Sequence, residues 1–163
     1  MGLGAAGSDL EPKMIEYSQT NLDWLARKHQ LSASLSYLEV GDATNYRWPD
    51  LDNSWALACE SYLGMPFAHE PPRERLEEAR GNCNKIIRKF LQNLAAQTKP
   101  GFRACIAVPA WFSGGRTLRL PLIDSLEELG YTIQDFKHPS AKRLIYHRSD
   151  QVVGRELLVL IRK

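Results

Sequence analysis

The sequence predicts an α/β layered sheet with a parallel centre, and three observations carry that prediction. Helix-period and strand-like apolar segments alternate through most of the chain, the pattern left by strands joined through crossover helices. The strand-like runs Trp55–Cys59 and Phe102–Pro109 are almost wholly apolar, as strands covered on both faces are. Towards the end, strand-like segments follow one another without a helix between them, which adds an antiparallel strand at one edge.

The elements follow in order. Pro12 suits a first helical turn, and Ile15, Ser18, Leu22, Leu25 and Ala26 then recur at helix spacing up to His29. Leu35–Val40 reads as a strand closed by Gly41-Asp42, and Trp55–Cys59 as the next. A long helix starts at Pro71-Pro72, with Leu76, Ala79, Cys83, Ile86, Ile87, Phe90, Leu91 and Leu94 as one apolar stripe. Lys99-Pro100-Gly101 marks its exit. Phe102–Pro109 is a strand, Leu118–Leu129 a helix ended by Gly130, and Tyr131–Phe136, Leu144–His147 and Arg155–Ile161 are closing strands. No repeat or linker divides the chain, so residues 1–163 read as one domain.

Composition narrows the function classes. Hydrophobic residues make up 44% and charged residues 25%, ordinary for a soluble globular protein. A net charge of +2 permits a polyanionic partner without requiring one. Cys59, Cys83 and Cys105 are odd in number and widely spaced, and no Cys/His cluster has zinc-ligand spacing; this reads as a reduced, cytoplasmic protein without a structural metal. No apolar run approaches the roughly 18 residues of a membrane span, so no membrane partner is expected.

In open sheets of this kind, ligands sit outside the carboxyl ends of the strands. Gly2–Gly7 is a literal GxGxxG, but that pattern needs a preceding strand, and here it reads as a turn feeding a short strand Ala5–Ser8. Asp9 closes that strand. A carboxylate there either accepts hydrogen bonds from ribose hydroxyls or interacts with the macrodipole of the following helix. Gly41-Asp42-Ala43 closes the next strand. The small residue lets a planar ring approach the backbone, and the carboxylate can accept from an exocyclic amine such as that of adenine; turn chemistry is the plainer reading. Taken in sequence, the two acids make an adenosine-shaped constellation. Glu60-Ser61-Tyr62 then sets a carboxylate, a hydroxyl and a ring at a third strand end, where a planar amine could be held. From Lys137 to Lys163 there are seven Lys or Arg against two Asp or Glu, either a solvated face or a phosphate track. His147 lies in a strand-like stretch and reads as structural.

The strings GSDLEPKMIEYSQTNLDWL and VGDAT, the acid-aromatic-glycine edge that follows, and the ending RLIYHRSDQVVGRELLVL resemble the THUMP-associated RNA methyltransferase family over nearly the whole chain. The resemblance implies a Rossmann-like methyltransferase fold, with a mostly parallel sheet and an antiparallel edge strand. It also implies S-adenosylmethionine as cofactor and RNA as partner, the acceptor being the exocyclic amine of a tRNA guanine. Asp9, with Leu10 beside it, would hold the cofactor ribose, and Asp42 with Ala43 the adenine. Glu60, Ser61 and Tyr62 would form the catalytic edge. Leu63 and Gly64, with Arg143 and Arg148 of the basic end, would contact the substrate.

Two departures from the family pattern shape the expectations. The family carries a first strand and a glycine-rich turn upstream of the GSD segment; this chain is expected to lack them, and so to be an incomplete or inactive fragment that binds S-adenosylmethionine poorly. The strands before Asp9 and Glu60 would then have unpaired edges and either pair with each other or self-associate. The family edge is Asp or Asn, two prolines, an aromatic residue and glycine; here it is ACESYLG. Aligned on Gly64 the acid is Glu60; aligned on Tyr62, Cys59 takes its place. A non-catalytic RNA-binding or scaffold domain is the alternative reading. A nicotinamide-dependent oxidoreductase would need a strand before Gly2.

Overall fold

The computed structural model describes residues 4–30, 35–49, 51–139 and 144–163, in two compact units, Met1–Tyr46 and Arg47–Lys163. In the first unit, strands β1 (Ala5–Asp9) and β2 (Leu35–Val40) pair in parallel, joined by helix α1 (Pro12–His29). Parallel pairing requires such a crossover. Ala5, Ala6 and Gly7 are strand residues, and a Cβ added at Gly7 would stand 3.1 Å from Leu38 Cδ1. This glycine therefore serves close strand packing, with Gly2 outside the described residues. Pro12 opens α1, where its missing N–H costs nothing. At the other end Gln30, at φ 49°, caps the helix by donating its N–H to the Ala26 carbonyl. Ile15, Ser18, Leu22 and Ala26 form a half-buried stripe. Tyr17 and Trp24 are exposed, with Lys13 and Lys28 ammonium groups over their rings.

The second unit contains β3 (Ala56–Glu60), α2 (Arg73–Gln97), β4 (Arg103–Ser113), β5 (Arg116–Leu118), a 3₁₀ helix (Pro121–Ser125), β6 (Tyr131–Ile133), β7 (Ile145–Tyr146) and β8 (Val153–Arg162). The sheet order is β3-β4-β8-β6, with β5 pairing β4 and β7 pairing β8. β3 and β4 are parallel, whereas β8 runs antiparallel to both β4 and β6. The antiparallel strand is thus interior and not at the edge. The reason is pairing on both of its edges: with β4 from Arg103–Ile161 to Trp111–Val153, and with β6 from Tyr131–Arg162 to Ile133–Leu160.

One face of this sheet carries the core. Ala104, Ile106, Val108 and Ala110 of β4, Leu158 and Leu160 of β8 and Tyr131 of β6 are buried, as are Leu76, Cys83, Ile87, Phe90, Leu91 and Leu94 of α2. The Tyr131 hydroxyl donates to the Leu91 carbonyl at 2.9 Å and ties helix to sheet. On the opposite face Ala56, Ala58, Glu60, Arg103, Cys105 and Leu157 are exposed. β3 is therefore open on one face, although its apolar run suggests cover on both.

The expected helix over Leu118–Leu129 is the 3₁₀ turn at Pro121–Ser125 and further turns. Leu120 is extended, as a residue before proline must be, and Gly130 at φ +83° ends the segment. Among the described residues, β1 has β2 as its strand partner and β3 has β4. Among the described residues no helix is long and apolar enough to cross a membrane.

Candidate active site

In the first unit a candidate site stands at the carboxyl end of the β1–β2 pair. Asp9 registers with Val40, and the Gly41 N–H donates to the Asp9 carbonyl at 2.8 Å, which brings the two strand-end acids together. Each carboxylate braces its own turn. Asp9 Oδ1 accepts from the Glu11 N–H at 2.9 Å and Asp42 Oδ1 from the Thr44 N–H at 2.8 Å. These are the local turns that Asp residues favour. Among the described residues the second oxygen of each has no hydrogen-bond partner, and an ionised carboxylate offers about four lone-pair sites. Asp9 and Leu10 are exposed, while Asp42 and Ala43 are half-buried. The acceptor set fits the hydroxyls of a ribose and the amine of an adenine.

Over this turn sits a ring from the protein itself. A Cβ added at Gly41 would meet Tyr46 Cδ2 at 2.2 Å, so the glycine makes room for Tyr46. The Tyr46 hydroxyl donates to Glu39 Oε2 at 2.6 Å. That bond holds the phenol neutral, and its pKa is pushed up to about 12.

In the second unit a further candidate site stands at the end of β3. Successive residues of a strand point to opposite faces, and here the alternation separates the two candidate acids. Cys59 registers with the fully buried Ile106 on the covered face, and burial pushes its thiol up to about 12. Glu60 stands on the open face, and its Oε1 accepts from Arg155 Nε at 2.7 Å. Of the two alignments of ACESYLG, the one that makes Glu60 the acid is the one that delivers a carboxylate to the open face.

Ser61 donates both its N–H (2.9 Å) and its hydroxyl (2.7 Å) to the Ala107 carbonyl. It thereby continues the β3–β4 ladder one residue beyond the strand. The chain then turns at Gly64, φ +88°, where an added Cβ would approach Cys83 Sγ of α2 to 3.1 Å. A pocket of about 280 Å³ opens between this loop and the start of β8. It is lined by Leu63, Gly64, Met65, Pro66, Phe67, Gln151, Val152, Val153 and Arg155. Its walls are mainly apolar with a few convergent polar groups, as small-molecule sites are. Leu63 and Gly64 thus reach the pocket, whereas Tyr62 is 45% exposed and is not among its lining residues.

The hairpin that supplies the other wall is fixed from below. His147 stacks on Phe112 with ring centroids 3.5 Å apart, and its Nε2 lies 2.6 Å from the Gln151 carbonyl. His147 lies just past β7, and these two contacts hold its ring within the hairpin. Glu70 accepts from the Ser113 hydroxyl and, at 2.9 Å, from the Gly114 N–H, tethering the post-β3 segment to the β4–β5 turn. Arg148 is exposed beside this hairpin; Arg143 lies outside the described residues. Arg155, Gln151, Met65 and Phe67 are site residues that the sequence reading did not single out. Arg155 lies inside the VGREL string, and only the sheet register reveals that it faces Glu60.

No family model matches the sequence, and no curated protein matches it significantly. Solved structures do resemble the fold. TrmN from Thermus thermophilus matches 97% of this chain with a TM-score of 0.52 and 16% identity. A candidate methyltransferase from Bacillus halodurans matches 99% with a TM-score of 0.50 and 13% identity. A SAM-dependent methyltransferase from Methanosarcina mazei matches 99% at 0.47 and 13%. The fold assignment rests on the first two: the chain has a methyltransferase-like α/β fold. It spans 36% of the TrmN chain and 83% of the Bacillus one.

Proposed function

We propose that this chain is the Rossmann-like catalytic domain of an S-adenosylmethionine-dependent N-methyltransferase acting on RNA, with the exocyclic amine of a tRNA guanine as acceptor. Asp9, beside Leu10, accepts from the cofactor ribose, and Asp42 with Ala43 from its adenine. When bound, S-adenosylmethionine supplies an electrophilic methyl group. Glu60 accepts a hydrogen bond from the target amine and so turns the nitrogen lone pair. Such orientation, more than proton transfer, is the main catalytic contribution of this edge. Ser61 anchors the edge through Ala107. Leu63 and Gly64 wall the base, Tyr62 offers a ring for stacking, and Arg148 and Arg143 face phosphate.

The observation that carries this reading is the place of Glu60: an exposed carboxylate at the end of a parallel strand, paired to a pocket-lining arginine, in a fold like that of methyltransferases. The experiment is transfer of labelled methyl from S-adenosylmethionine to tRNA transcripts, with Glu60→Ala alongside. Wild type is expected to label guanine, and Glu60→Ala to lose turnover while binding the cofactor as before. No labelling by wild type, or equal turnover in the variant, would overturn the assignment.

A further inference from the structure

We infer that Arg155 is the positioning residue of Glu60, and that the length of the glutamate is set by this partnership. The inference rests on the function proposed above and adds a residue and a geometric rule to it. Glu60 registers with Ala107 of β4, and Ala107 with Leu157 of β8; Arg155 is two residues away along β8, opposite Pro109. The four residues share the open face, so the Nε–Oε1 contact of 2.7 Å bridges β3 to β8 across the whole width of β4. Two strand spacings are roughly 9.5 Å, and the two-residue offset along β8 lengthens the span further. A glutamate and an arginine reaching towards each other span that distance over the methyl of Ala107, and an aspartate would fall one methylene short.

The pairing also answers a cost of the longer side chain. Glutamate has one more rotor than aspartate or asparagine, and a carboxylate that swings among rotamers cannot hold an amine in one orientation. Arg155 removes that freedom. It engages Oε1 and leaves Oε2 without a partner among the described residues, a single acceptor fixed in direction. Half-exposed ion pairs such as this one, with side chains 37% and 49% exposed, add little to stability. Its effect is therefore expected in the site and not in the fold. Because Arg155 also lines the pocket, its remaining N–H donors are available beside the acceptor.

Two measurements test this on the full chain. The first needs no turnover: the Arg155 Nε–Hε resonance is followed in protein carrying ¹⁵N-labelled arginine, assigned by its loss in Arg155→Lys. It is expected to be shifted and protected from exchange in wild type and to move to the free-arginine position in Glu60→Asp. Guanosine is expected to shift it, and inosine, which lacks the amine, to shift it less. An unchanged resonance in Glu60→Asp, or equal responses to the two nucleosides, would overturn the inference. The second is methyl transfer. Arg155→Ala and Glu60→Asp are each expected to lower kcat by about ten- to a hundredfold with the KM for S-adenosylmethionine unchanged. Guanidinium ion is expected to restore part of the turnover of Arg155→Ala but none of that of Glu60→Ala. Full turnover in Arg155→Ala would again overturn it. A wild type without methyl transfer would remove the proposed function and leave the nucleoside titration to decide the role of Arg155.

Discussion

Arg119 holds the carboxylate of Glu156 in a bidentate grip, its Nε lying 2.8 and 2.9 Å from the two oxygens, and that carboxylate is fully buried. The next residue back along β8 is Arg155, so successive charges serve opposite faces of one strand: Arg155 the candidate site, Glu156 the support beneath it. Arg119 directly follows β5 and is itself 30% exposed. The pair therefore fastens the β4–β5 hairpin to β8 at the height of the site. Arg80 of α2 donates to the Arg119 carbonyl at 2.8 Å and joins the helix to the same point.

Breaking this pair from one side leaves a buried charge without compensation, which costs about 3–5 kcal/mol. Arg119→Ala is expected to lower the unfolding free energy of the second unit by that amount in urea titrations. Replacing both partners by apolar residues of similar volume, Arg119→Met with Glu156→Leu, is expected to recover most of it, because burying an ion pair itself requires desolvation. A loss below about 1 kcal/mol in the single variant would place the pair among ordinary surface bridges.

Tyr46 gives a prediction with a pH signature. Its phenol is held neutral by the hydrogen bond to Glu39, which pushes its folded pKa from the ordinary 10.0 up to about 12. A raised phenol pKa means that the unfolded chain loses its proton first. The stabilisation is complete below pH 10 and is lost as pH rises from 10 to 12. Absorbance titration is expected to show one phenolate forming near 12 that is absent in Tyr46→Phe. The Tyr37 and Tyr131 phenols, both raised mainly by burial, should continue to titrate. Gly41→Ala should cost about 1–3 kcal/mol through overpacking against the Tyr46 ring. The same change should cost less in a Tyr46→Ala background; equal costs in both would show that the ring does not set the glycine.

Local chemistry made much of this architecture legible. The stripe from Leu76 to Leu94 gave α2 because each buried position recurs at helical spacing, and Pro12 and Gly130 marked boundaries that backbone stereochemistry enforces. What stayed hidden depends on pairing. The Gly114-Gly115 turn, with both φ values positive, is a hairpin signal that extends β4 well past Pro109, and the strand reading stopped at that proline. The interior place of β8 and the openness of one face of β3 are set by which strands neighbour which, and composition cannot supply that. The acids at Asp9, Asp42 and Glu60 were visible as strand ends. The Tyr46 ring over Gly41 and the Arg155 partner of Glu60 were not, since one depends on a turn and the other on register across three strands.

Asp42 has two tasks, and they can be separated. Its Oδ1 braces the turn at Thr44, and its other oxygen is the proposed acceptor for adenine. A hydrogen bond to a charged group contributes about 1.5–3 kcal/mol, so Asp42→Ala is expected to weaken S-adenosylmethionine binding by roughly ten- to a hundredfold in calorimetric titration. Asp42→Asn keeps an acceptor for the turn and loses the charge, and it should fall between wild type and Asp42→Ala. Equal affinity in all three would remove Asp42 from the cofactor site.

Arg148 tests whether the basic end meets RNA. It is exposed, and among the described residues its recorded contact is through the backbone, its carbonyl accepting from the Gln151 N–H at 3.0 Å. The guanidinium is thus available without dismantling the hairpin that forms one wall of the pocket. Each phosphate contact releases counterions, and for single strands the slope of log K against log salt changes by about 0.7 per contact. Arg148→Ala is therefore expected to weaken binding of an unstructured RNA, to flatten its salt dependence by about that much, and to leave S-adenosylmethionine affinity unchanged. The same measurement on Arg143→Ala asks whether a second arginine joins the track. A slope identical to wild type in both variants would return these arginines to the solvated surface, where the local charge excess needs no polyanion to explain it.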